Sequence, residues 1–105
     1  MKTMSRWSGW LLRARSGYVL RDIAGEYLLI PVALQDGSES QMAVLNEVGK
    51  TLWEILQEDQ TVDTMVQAIT DSYEVSEEEA RADIIDFVNQ LSENHLLLMK
   101  MEERK

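Results

Sequence analysis

A strand that turns into a helix with no linker constrains this chain more than any other feature. Residues 41–45, Gln41, Met42, Ala43, Val44 and Leu45, form a short strand-like run. Asn46 follows at once, and Asn is a favoured N-cap because its side-chain oxygen accepts from a first-turn N–H. Val48, Leu52, Ile55 and Leu56 then recur at helical spacing, which gives the helix one apolar face. The chain before this junction reads as sheet. Almost all of it afterwards reads as helix.

A chain of 105 residues is expected to form one domain with one modest core. It has no cysteine, which excludes disulfides, thiolate metal sites and cysteine nucleophiles. No apolar run approaches the roughly 18 residues of a membrane span. Trp10, Leu11 and Leu12 make too short an apolar run for a secretory signal. The expectation is therefore a cytoplasmic protein with no membrane contact. Charge is unevenly placed. Residues 1–25 carry five Lys or Arg against one acid, net +4, and residues 26–105 carry five against eighteen, net −13. Nucleic-acid affinity comes from Lys and Arg neutralising phosphates, so the helical part is a poor candidate for it.

Residues 1–16 show no clean period: Trp7, Trp10, Leu11 and Leu12 are mixed with Arg6, Arg13 and Arg15. Two readings stand, a loose arm that packs where it can and an amphipathic arm that docks on a partner or a second copy. Residues 18–24 and 26–32 are rich in β-formers around Ala24-Gly25, which predicts a hairpin. Asp36-Gly37-Ser38 is a second turn signal, and residues 41–45 supply a third strand. Three helices follow. The first spans about 47–57. The second starts behind Thr61, with Val62, Met65, Val66, Ile69 and Tyr73 on its inner face. The third spans about 77–93 behind a capping box of Ser76 and Glu79, and Asn94 is expected to take the left-handed conformation that ends it. Leu96, Leu97 and Leu98 suit a short strand or a packed tail, and residues 99–105 a frayed one. The predicted organisation is an arm at 1–16, a domain at 17–98 and that tail.

The third helix has more apolar surface than one stripe needs. Stepping 100° per residue groups Ala80, Ile84, Phe87 and Leu91 as a core stripe with Val88 on its flank. Arg81, Ile85, Val88 and Ser92 form a second, mixed strip. It is either a wide buried face under the N-terminal arm or one wall of a groove.

These segments resemble the PqqD family, the small peptide-binding proteins of pyrroloquinoline quinone biosynthesis and related peptide-modification pathways, also called RiPP recognition elements. The resemblance spans residues 17–97. It rests on Leu45-Asn46-Glu47-Val48-Gly49 leading to Leu52-Trp53, on Thr61-Val62-Asp63, and on Ala82-Asp83-Ile84-Ile85-Asp86-Phe87-Val88 with Leu91. It departs from the family at Asn94-His95, where a Gly is common. The resemblance implies an α+β fold, similar to a winged helix-turn-helix, with a three-stranded antiparallel sheet followed by three helices. It also implies a non-catalytic adaptor that needs no cofactor. Such an adaptor binds the leader of a precursor peptide and presents it to a modifying enzyme, commonly a radical S-adenosylmethionine enzyme. In the family the leader adds to the third strand and lies against the third helix. On this chain those elements carry Gln41, Met42, Ala43, Val44 and Leu45, with Arg81, Ile85, Val88 and Ser92 on the helix.

No residues suggest catalysis. His95 is the only histidine and stands past a predicted helix end, where a cation suits the dipole. Glu77, Glu78, Glu79, Asp83 and Asp86 read as a solvated face, Glu47 as a first-turn acid and Trp53 as core. Two other functions compete. A winged-helix DNA reader needs a basic recognition helix, whereas the third helix has one Arg against five acids between Glu77 and Asp86. A subunit that only stabilises an enzyme would bind that enzyme but no isolated precursor. An open strand edge also allows a dimer.

Overall fold

The computed structural model describes residues 7–31 and 43–101. Its elements are β1 (Trp10–Ala14), β2 (Tyr18–Ile23), β3 (Glu26–Pro31), β4 (Ala43–Leu45), α1 (Glu47–Ile55), α2 (Val62–Ser72), α3 (Glu77–Glu93) and β5 (Leu97–Met101). The fold is α+β: a three-stranded antiparallel sheet in the order β2-β3-β4, three helices, and a two-stranded ribbon of β1 and β5. The turn signal at residues 36–38 and the predicted strand residues Gln41 and Met42 lie outside the described residues.

The hairpin forms where Ala24-Gly25 places it, with φ of 54° and 83°. Two positive φ values in a two-residue loop suit the right-handed twist of the strands on either side. The helix starts also follow the sequence. Asn46 accepts from the Gly49 N–H at 2.7 Å, and Ser76 accepts from the Glu79 N–H at 3.1 Å. The capping box predicted at Ser76 keeps only this half, whereas at Thr61 both halves are present, made with Thr64. Replacing Asn46 by alanine leaves a first-turn N–H without its acceptor, and about 1 kcal/mol of stability is the expected loss in urea denaturation.

The α3 C-terminus is made differently from the sequence expectation. Asn94 keeps a negative φ of −96°, and His95, at 59°, takes the left-handed conformation. His95 thus acts through its backbone, its carbonyl accepting from Arg15 Nη1 at 3.3 Å. This turn lets the Leu96 N–H reach back to the Leu91 carbonyl at 2.8 Å and sends the chain into β5.

The ribbon corrects the reading of both chain ends. Trp10 pairs with Met101 and Ala14 with Leu97, so part of the expected arm and of the expected tail form one antiparallel ladder. The opposite edge of β1 is tied to the helices. Leu12 and Gln60 exchange N–H···O bonds of 2.7 and 2.8 Å, and the Ala14 N–H donates to the Leu56 carbonyl at 2.8 Å. Trp7, Leu12 and Ala14 are buried with Leu29, Leu52, Trp53, Leu56, Met65, Ile84 and Val88 in one core. The arm is held because its apolar side chains complete a helical layer that would otherwise stay open beside Leu56 and Leu96. Among the described residues, no helix is long and apolar enough to cross a membrane.

Candidate functional site

The register of the sheet fixes which backbone groups its edge presents. Across a two-residue hairpin loop the flanking residues, Ile23 and Glu26, form a hydrogen-bonded pair. Hydrogen-bonded and non-bonded pairs alternate along an antiparallel ladder. Arg21 and Leu28 are therefore bonded across β2–β3, while Tyr27 and Leu29 turn their N–H and C=O groups the other way, to β4. There they meet Leu45 and Ala43, and Leu28 stands opposite Val44. The amide and carbonyl of Val44 consequently point away from the sheet. No strand among the described residues covers that edge, and the Val44 side chain is 65% exposed.

The edge leads straight into α1, and Gly49 explains how closely the parts pack. A Cβ on this buried glycine would lie 3.2 Å from Asn46 Oδ1, 3.3 Å from Phe87 Cε1 and 3.4 Å from Leu45 Cβ. Phe87 of α3 thus comes against the junction of β4 and α1. Along α3, Asp83 and Gln90 fall on the outward side of Phe87 at 100° per residue and are exposed.

The predicted helix strip lies elsewhere. Val88 is sealed in the core at 0% exposure, whereas Phe87 is only partly buried. Val88, predicted on the flank of the core stripe, is the deeper of the two, and Phe87 packs against the core from a partly buried position beside Gly49. Arg81 is turned to α2, with its Nη2 2.9 Å from Asp63 and 3.5 Å from Glu77. Ile85 packs partly buried against the core, and Ser92 is partly buried. Next to them on the helix, Asn89 accepts from the buried Trp7 indole N–H at 2.8 Å. The Trp7 bond to Asn89 brings the N-terminal arm to this side of the helix, while Arg81 belongs to the contact with α2. Phe87 packs on the core from beside the junction of β4 and α1, a position the helical pattern of α3 does not give. The signal for it was Gly49, a glycine inside an otherwise well-formed helix.

Of the strand residues in the predicted site, Ala43 and Leu45 are partly buried and Val44 is exposed, while Gln41 and Met42 lie outside the described residues. Trp53 is buried with its ring edge-on to Tyr18, centroids 6.3 Å apart. Among the described residues no cluster of three His, Asp or Glu side chains is placed to hold a metal ion.

The model of a protein family described as coenzyme PQQ synthesis protein D matches residues 15–97. The chain belongs to the PqqD family. The matched span runs from the end of β1 to the start of β5 and holds the whole three-stranded sheet and all three helices. No curated protein matches this PqqD-family chain significantly. Among solved structures it is similar to TbiB1, determined in complex with the TbiA(beta) leader peptide. That similarity has 27% sequence identity and a TM-score of 0.62, covering 81% of this chain and 93% of TbiB1.

Proposed function

We propose that this protein captures the leader segment of a ribosomally made precursor peptide by strand addition at β4 and presents it to a modifying enzyme. It catalyses no step itself. The carrying observation is the edge of β4 that no strand among the described residues covers, where Val44 turns its N–H and C=O outward. An extended peptide pairs with such groups whatever its side chains, and selectivity comes from the side chains that meet the adjoining wall. That wall is the Phe87 side of α3, with Leu45 below it and Asp83 beyond. Membership of the PqqD family and the likeness to a protein solved with a leader peptide support this reading. The family resemblance makes a radical S-adenosylmethionine enzyme the expected partner.

Direct DNA reading is disfavoured by the state of α3's one arginine, which is already paired with Asp63 and Glu77. Ordering a free leader costs several kcal/mol of the gross interaction. Burial against Val44, Leu45 and Phe87 offsets part of this, at about 25 cal/mol per Å². The test is backbone-amide NMR of the protein titrated with the precursor peptide encoded beside its gene. Saturable shifts at Ala43, Val44 and Leu45 and at α3 residues around Phe87 are expected. If an intact protein binds no neighbouring precursor but holds its enzyme tightly, the subunit-only reading replaces this one.

A further inference from the structure

The ribbon has an open edge of its own, and its backbone groups can be assigned in the same way. Leu12 and Ala14 direct their N–H groups to Gln60 and Leu56, away from β5. Leu11 and Arg13 must then bond to their partners Lys100 and Leu98. The Arg15 N–H, which donates to the Leu96 carbonyl at 2.9 Å, continues the same alternation. On β5 the remaining residues, Leu97, Met99 and Met101, turn their N–H and C=O groups to the far side. No strand among the described residues lies there.

The side chains along this edge are unusually apolar for an exposed strand. Leu98 and Met99 are each 49% exposed and Met101 is 71% exposed. Native proteins ordinarily protect such edges. The two faces of the ribbon differ in chemistry. Leu98 and Lys100 share the outer face with their register partners Arg13 and Leu11. Met99 and Met101 alternate with them and pair in register with Leu12 and Trp10. The strands β1 and β5 include Arg13 and Lys100 and no acid. Among the described residues Asp59 bridges the two cations, 3.5 Å from Arg13 Nε and 3.2 Å from Lys100 Nζ, which leaves one positive charge in excess. These three side chains, with Leu11, Leu98 and Met99, line a shallow hollow of about 270 Å³.

We infer that β5 is a second strand-addition edge, for an extended segment of a partner protein in which acidic residues alternate with apolar ones. A strand added beside β5 sets alternate side chains on opposite faces. Its acids then meet Lys100 and Arg13, and its apolar residues cover Met99 and Met101. Charge complementarity favours this occupant over a second copy of the chain. A second copy would bring the same cations, Arg13 and Lys100, to the same face. The inference is independent of leader capture, since the β5 edge is open whether or not β4 takes a peptide.

The test uses the full chain and two synthetic peptides, one alternating glutamate with valine and leucine, the other with lysine in place of glutamate. In backbone-amide NMR the glutamate peptide is expected to shift residues 97–101, and to do so equally in a Val44→Pro chain, whose β4 edge is blocked. It should bind at least about tenfold more tightly than the lysine peptide at low salt, and the gap should narrow as salt screens the charges. Met99→Pro removes an outward N–H while sparing the ladder to β1, and it is expected to abolish the shifts. Arg13→Glu with Lys100→Glu changes exposed side chains only and is expected to reverse the charge preference, so the inference stays testable should the proline variant fail to fold. Absence of saturable shifts up to about 1 mM peptide overturns it. Equal affinity for the two peptides, or shifts confined to 43–45, does the same. So does a protein that already dimerises through β5 in sedimentation experiments.

Discussion

Leu12→Ala is expected to destabilise the protein by about 2–5 kcal/mol, read as a lower midpoint in urea at unchanged slope. Leu12 is fully buried, and its backbone is held on both sides. Its N–H and C=O are bonded to Gln60, and its strand neighbours are bonded to β5. The site therefore cannot collapse cheaply around a smaller side chain, and the cavity term adds to the lost transfer energy. A residue in a loose arm would give a change within about 0.5 kcal/mol. The comparison with Leu11→Ala sharpens the result, because Leu11 lies on the partly exposed outer face and should cost much less. Equal small effects at both positions would remove the ribbon from the folded domain.

Val44→Pro is expected to weaken leader binding at least about tenfold, roughly 1.4 kcal/mol, while the amide spectrum of the rest of the domain stays in place. The substitution removes the outward N–H and puts a ring where the added strand must approach. It breaks no bond to β3, because Val44 is the non-bonded member of the β3–β4 ladder. Val44→Ala serves as the control. It trims the exposed side chain, keeps the N–H, and should stay within about threefold of the parent affinity, since main-chain bonds carry strand addition. Equal losses in both variants would assign the binding to the side chain and contradict the main-chain account. A Met99→Pro variant should bind leader normally, which separates the two edges.

The parts legible in the sequence are those encoded by local chemistry. Ala24-Gly25 marks a turn whose φ values few other residue pairs adopt easily. Asn46, Thr61 and Ser76 mark helix starts through their side-chain oxygens, and α1 to α3 begin behind them. The third strand was visible because it adjoins a capped helix. The ribbon was not, because β1 finds its partner almost a full chain length away and is too short for alternation to stand out. Leu12 and Ala14 point in while Arg13 points out, a two-fold pattern of only a few residues. The site was legible by element rather than by side chain. The β4 edge follows from strand order, but the wall beside it depends on how α3 is rotated. In the fold Val88 is fully buried and Phe87 stands against Gly49. No wheel drawn for α3 alone contains that information. His95 was missed for a similar reason, since either it or Asn94 can take a left-handed turn and the path into β5 decides between them.

The ribbon also bears on how the protein is made. The β2–β3 hairpin and the α2–α3 pair join neighbouring segments and can form as soon as they leave the ribosome. Strand β1 has no ladder partner until residues 97–101 have been synthesised. Trp7 likewise waits for Asn89. While the residues between the two strands are being made, the nascent chain therefore carries Trp7, Trp10, Leu11 and Leu12 uncovered, a segment open to chaperones and to mispairing. The last strand made is the one that closes the domain.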